Sequence, residues 1–302
     1  MKKILILFTF VVSFLNASTE QLTVSILPQK YFVEKIVKDK FEINVMVKPG
    51  SSPHTYEPKS SQMKALANSK VYFYAGVSFE EVWLNKFKQS AKNTLFVDTT
   101  NGIEKIEMKE HEHHEEESHK DHDHAHKDEH KHHDEEKHDH SGLDPHVWLD
   151  PTLVKIQAKN IYETILKIDS ANSEFYKANY EAFIKELEVL DKEIETILTP
   201  YKEKAFMVFH PSWGYFAKKY NLEQIAIEVQ GKEPKPNELI ELIEEAKKHD
   251  VKIVFVSPQF SQKSAKTISS TINASVVAID PLAENWAEAL LNTAKEIEKN
   301  YK

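Results

Sequence analysis

One long helical segment divides this chain into two halves, and each half alternates short apolar stretches with helical spacing. Tyr176, Tyr180, Phe183, Leu187, Leu190, Ile194 and Ile197 recur every three or four residues, the period of an amphipathic helix. At 1.5 Å per residue, roughly 25 residues span about 38 Å, enough to run down the side of two domains. Before this segment the pattern predicts strands over 22–27, 42–47, 70–75 and 94–98. After it the pattern predicts strands over 205–209, 224–229, 252–256 and 275–279. Helical spacing fills the intervals. Strands that alternate with helices imply βαβ units around a parallel sheet. The expected fold class is therefore α/β, with four strands on either side of the long helix.

In open parallel sheets, ligands bind beyond the C-terminal ends of the strands. His54 follows the second predicted strand through a Pro/Gly/Ser loop. His146 follows the fourth strand of the first half. His210 and Asp280 end the first and fourth strands of the second half. His54, His146 and His210 each adjoin a proline. A lone histidine in such a place is usually a turn residue with a satisfied hydrogen bond. Three together suggest a shared metal site, because two facing lobes would bring these groups to one cleft. Three neutral imidazoles and a carboxylate suit four-coordinate zinc. Asp280 ranks below the histidines, since Asp-Pro at a strand end also commonly opens a helix. His249 lies at a polar helix end and reads as solvated surface.

Of the sixteen histidines, twelve lie between His111 and His140, in a tract holding no apolar residue larger than Ala125. Histidine-rich tracts bind metals on composition alone. From 109 to 140 there are thirteen acids and five lysines, so the tract carries most of the net charge of −9. The rest is near neutral, which excludes the basic footprint of a nucleic-acid binder. Low hydrophobicity and dense charge predict that the tract stays disordered without metal. An inert solvated insert is the plainer reading of the same composition.

The first residues, Met1-Lys2-Lys3, an apolar run to Leu15 and Asn16-Ala17-Ser18, have the layout of a secretory signal peptide. The run is too short to span a bilayer. With no cysteine in the chain, there are no thiolate ligands and no site for a lipid anchor. An exported, unanchored protein of this kind is expected in a periplasm.

The motifs Pro53-His54-Thr55-Tyr56-Glu57-Pro58, Asp144-Pro145-His146-Val147-Trp148, Phe209-His210-Pro211-Ser212-Trp213-Gly214, Glu228-Val229-Gln230-Gly231 and Asp280-Pro281-Leu282 run through the chain after the leader. In them the chain resembles the metal-binding substrate-binding proteins of ABC transporters, specifically the zinc-uptake group. The resemblance implies two (βα)4 lobes joined by a rigid helix, with a metal cleft between them. It implies His54, His146 and His210 as ligands to Zn2+, with Asp280 or a water in fourth place. Manganese and iron members usually carry Glu where this chain has His210. The implied organisation is a signal peptide at 1–17 and an N-terminal lobe at 18–168 with the insert at 109–141. A linking helix at 169–199 and a C-terminal lobe at 200–302 follow. The implied function is capture of Zn2+ and its delivery to ABC permease membrane subunits by a monomer without enzymatic activity.

Three competing readings remain. A manganese or iron carrier would share the fold. A zinc hydrolase could use three histidines and an open position, but the chain lacks H-E-x-x-H and any glutamate at the spacing of a general base. A zinc buffer or adhesin would need only the tract.

Overall fold

The computed structural model describes residues 19–108 and 142–302. The apolar leader and the histidine tract lie outside these residues. The first half contains β1 (Gln21–Val24), α1 (Leu27–Val37), β2 (Glu42–Val45), α2 (Ser60–Asn68), β3 (Ser69–Tyr74), α3 (Ser78–Ser90), β4 (Leu95–Asp98) and α4 (Pro151–Ile168). The long helix is α5 (Ser173–Leu198). The second half contains β5 (Ala205–Val208), α6 (Gly214–Lys219), β6 (Glu223–Ala226), α7 (Pro236–Lys248), β7 (Ile253–Val256), α8 (Lys263–Ile272), β8 (Ser275–Ala278) and α9 (Trp286–Tyr301). The two four-stranded sheets have the same order, β2-β1-β3-β4 and β6-β5-β7-β8. Every strand pair is parallel. The expected α/β architecture with two parallel sheets and a long connecting helix is what the chain adopts.

Most strand boundaries shift by one to three residues from the sequence expectation, and one of these shifts moves residues from a strand into a helix. The first strand stops at Val24, and the apolar residues Ile26 and Leu27 open α1. Pro28 lies in the first turn of α1, where its missing N–H leaves no helical bond unmade. Gln29 reaches back to accept from the Ser25 N–H at 3.0 Å. Apolarity alone could not separate the end of the strand from the start of the helix.

Side-chain alternation along the second sheet explains how the halves join. Phe206, Val208, Ile253 and Phe255 face one way, into a core shared with the first half. Ala205, Met207, Val254 and Val256 face the other way, into a smaller core under α7 and α8. This is the two-residue period of a strand buried on both faces. The shared core runs without a break from Leu22 through Phe32 and Phe183 to Trp286 and Leu290. At its centre the Trp286 ring meets Phe32 edge-on at 5.0 Å, and Phe32 lies 6.1 Å from Phe183 of α5. Helix α5 packs on α1, α4 and α9, so it touches both halves. A reciprocal pair of bonds closes the junction: Trp286 Nε1 donates to the Trp148 carbonyl at 2.8 Å, and Trp148 Nε1 donates to the Pro281 carbonyl at 2.8 Å. Among the described residues, no helix is long and apolar enough to cross a membrane.

A buried aromatic junction of this kind couples the halves energetically. Urea unfolding of the metal-free protein, followed by far-ultraviolet circular dichroism and by tryptophan emission, is expected to give coincident transitions. Trp286→Ala is expected to cost about 3–5 kcal/mol. Two separate transitions in the parent protein would mean that the junction does not couple the halves.

Candidate metal centre

The C-terminal edges of both sheets open onto one cavity. Its walls are largely apolar: Pro53, Val77, Pro145, Trp148, Phe260, Pro281 and Leu282. Three imidazoles enter it, from His54, His146 and His210. Each offers one ligand atom, and the three atoms lie within 4.8 Å of one another. His54 Nε2 and His210 Nε2 are 3.0 Å apart. Two nitrogens bound to one tetrahedral zinc at about 2.0–2.1 Å would stand about 3.3 Å apart. The observed spacing is therefore close to that of a shared ion.

His54 sits in the loop after β2. The chain leaves the strand with Met46 and Val47 still bonded to Val24 and Ser25. It then turns at Gly50, whose φ of +76° favours glycine. The His54 loop is tied to α3 by the Phe79 N–H, which donates to the Pro53 carbonyl at 3.2 Å. The first residue of α3, Ser78, places its hydroxyl 2.9 Å from His54 Nδ1. Behind Ser78, the Glu80 carboxyl accepts from the N–H groups of Ala75, Gly76 and Val77. Burial pushes that carboxyl up to about 7, against the pull of these donors.

The two other imidazoles are backed by buried carboxylates. Asp144 Oδ1 accepts from the His146 backbone N–H at 2.8 Å and lies 2.7 Å from His146 Nδ1. Glu228, just beyond β6, places Oε1 at 2.6 Å from His210 Nδ1. A carboxylate at Nδ1 makes that nitrogen the N–H, so the lone pair sits on Nε2, facing the cavity. Burial holds His146 below the usual histidine range, opposed by the Asp144 charge. Gly214 packs closely against this carboxylate: a Cβ there would lie 2.9 Å from Asp144 Oδ2 and would press on it. Tyr215 locks the same corner: its hydroxyl donates to the Asp144 carbonyl at 2.9 Å and accepts from the Ile106 N–H at 3.1 Å.

The structure thus brings together three of the four residues singled out from sequence. Asp280 is not in the group. Its Oδ1 accepts from Gln259 Nε2 at 2.7 Å and from the Leu282 N–H at 2.9 Å. The position at a strand end was read correctly, but the Asp280 carboxylate is engaged by Gln259 and the Leu282 N–H. His249 is a surface residue, with Nδ1 2.7 Å from Glu223. Sequence reasoning missed Ser78, Glu228 and Gln259. Glu228 and Gln259 follow strands β6 and β7, so the strand-end rule applied to every strand could have found them.

Residues 22–300 match the family described as zinc-uptake complex component A, periplasmic. The high-affinity zinc uptake system protein ZnuA of Bacillus subtilis is 32% identical over 259 residues, covering 84% of this chain and 76% of that protein. A crystal structure of a ZnuA superposes with a TM-score of 0.81 at 39% identity, covering 94% of this chain and 100% of that one. A ZnuA deletion mutant with zinc bound gives 0.80 at 40% identity, covering 93% and 98%.

The carboxylates behind the imidazoles give a direct check. Asp144→Ala and Glu228→Ala are each expected to weaken zinc binding about 10–100-fold. Ser78→Ala, which removes only a hydroxyl, is expected to cost less. Competition titration against a zinc chelator reads all three; equal, negligible losses would mean that the Nδ1 partners do not prepare the site.

Proposed function

The chain belongs to the family of periplasmic zinc-uptake components, and on that premise we propose that it captures Zn2+ outside the cytoplasmic membrane. It hands the ion to the membrane subunits of an ABC transporter, which a partner ATPase drives. The observation that carries this reading is the convergence of His54, His146 and His210 within 4.8 Å. Imidazole nitrogens favour zinc over manganese, both by ligand type and by the order of divalent affinities. Zinc is the cargo, and the three histidines are its proposed ligands.

The reading is of a binding protein, not of an enzyme. The two carboxylates nearest the imidazoles, Asp144 and Glu228, both serve Nδ1 atoms. Neither is placed to act as base on a metal-bound water. The proposed compartment is the periplasm, reached by way of the leader at 1–17.

Ligand histidines must be unprotonated, and their reference pKa is about 6.5. Zinc affinity is therefore expected to fall as pH is lowered from about 7 to 5. His54→Ala, His146→Ala and His210→Ala are each expected to weaken binding strongly at pH 7. A pH-independent affinity, or three variants with parental affinity, would remove the assignment.

The histidine tract is proposed as an accessory to the cleft. The described residues that flank it form a short antiparallel stem, where Glu107 pairs with Leu143 and the Met108 N–H donates to the Gly142 carbonyl at 3.3 Å. A chain joined across this stem keeps Asp144 and His146 in place. Deleting residues 110–141 is expected to leave one tight zinc per protein and to remove weaker sites, as read by calorimetric titration. Loss of the tight site in a folded deletion variant would place a primary ligand in the tract.

A further inference from the structure

Each of the four strands of the second sheet is followed within three residues by a polar side chain. His210 follows β5, Glu228 follows β6, Gln259 follows β7 and Asp280 follows β8. The first two have been placed. Gln259 lies in the turn that leaves β7, closed by the Phe260 N–H donating to the Ser257 carbonyl at 3.3 Å. The Phe260 ring stacks on the His210 imidazole, centroids 5.0 Å apart and planes at 28°. That contact ties the turn to one of the three imidazoles. Gln259 itself lines the cavity with all three histidines.

The two ends of its amide are in different situations. Nε2 donates to Asp280 Oδ1 at 2.7 Å. Only the N–H end of an amide can meet a carboxylate, so Asp280 decides which way the amide faces. The other end, Oε1, is buried and has no hydrogen-bond partner among the described residues. A buried amide oxygen left in that state is costly unless a ligand satisfies it. Zinc takes four ligands and accepts oxygen in the set, and the histidines supply three.

We propose that Gln259 turns its Oε1 to the fourth coordination position of the bound zinc, with Asp280 as the positioning residue that orients the amide. This rests on the three-histidine reading above and revises the place of Asp280 within it. The site is then neutral in all four donors. The carboxylates at Asp144, Glu228 and Asp280 each stand one step behind a donor group.

The test uses the full mature chain, with zinc buffered by a chelator so that only the tightest site fills. Tryptophan emission follows the filling, because Trp148 lies 5.1 Å from the His146 ring and residues 109–141 contain no tryptophan. Asp280→Ala is expected to weaken zinc about tenfold, the size of a lost supporting contact, and Gln259→Met, which removes the ligand atom itself, by more than about tenfold. Asp280→Asn keeps an acceptor oxygen for Gln259 Nε2 and the Leu282 N–H, so it is expected to stay within about threefold of the parent. The proposal is overturned if Gln259→Met binds as the parent does. It is also overturned if Asp280→Asn falls as far as Asp280→Ala, which would make the carboxylate a ligand in its own right. His210→Ala is the control: parental affinity there would instead defeat the three-histidine reading. Should Gln259→Met lower the melting temperature of the metal-free protein, the Asp280 pair decides the matter alone.

Discussion

Three imidazoles from two sheets can share one small ion only if the sheets stand at a fixed separation. Zinc–nitrogen bonds tolerate errors of a few tenths of an ångström, and a hinged cleft would not hold that tolerance unaided. The junction between the halves supplies it. Trp148 and Trp286 are both almost completely buried, and each indole N–H is bonded across the junction. Trp148 is two residues from His146, so the bond that fixes the halves also fixes one imidazole. Helix α5 packs on elements of both halves and resists their separation.

Given fixed sheets, the remaining freedom is the rotation of each ring. Asp144, Glu228 and Ser78 remove it by engaging the three Nδ1 atoms. The partners are unequal. Asp144 and Glu228 are buried beside His146 and His210, themselves nearly buried, whereas His54 is exposed and meets a hydroxyl. A carboxylate raises the basicity of the imidazole it holds more than a hydroxyl does. The two buried rings are thus the firmer part of the site, and the exposed ring closes it from the solvent side. Nitrogen donors in an apolar pocket suit zinc better than manganese, which favours carboxylate and carbonyl oxygens.

Much of this was legible in the sequence, for reasons that differ by residue. Strand β5 was read over 205–209, one residue beyond its observed end at Val208, because the apolar run from Ala205 to Phe209 is bounded by Lys204 and His210. The three histidines stood out because they adjoin prolines beyond strand ends, where parallel sheets bind ligands. Ile26 and Leu27 were misjudged because apolarity does not distinguish a strand's last residues from a helix's first. Glu228 and Gln259 lie beyond strand ends and were within reach of the same rule, but their roles, like that of Ser78, depend on partners 18, 21 and 24 residues away, brought close only by the fold. Asp280 shows the limit of position as a guide. It lies at the expected strand end, yet its side chain bonds to Gln259 and the Leu282 N–H.

The central claim is that one zinc is held by imidazoles from both halves. X-ray absorption at the zinc edge tests it most directly, on mature protein loaded with one equivalent of zinc through a chelator buffer. The account predicts a first shell of four light atoms at about 2.0–2.1 Å, with the outer-shell scattering of three imidazole rings. Loading His54→Ala and His210→Ala in the same way should each remove one ring. A shell of oxygens with no imidazole scattering, or a parent spectrum unchanged in both variants, would contradict it.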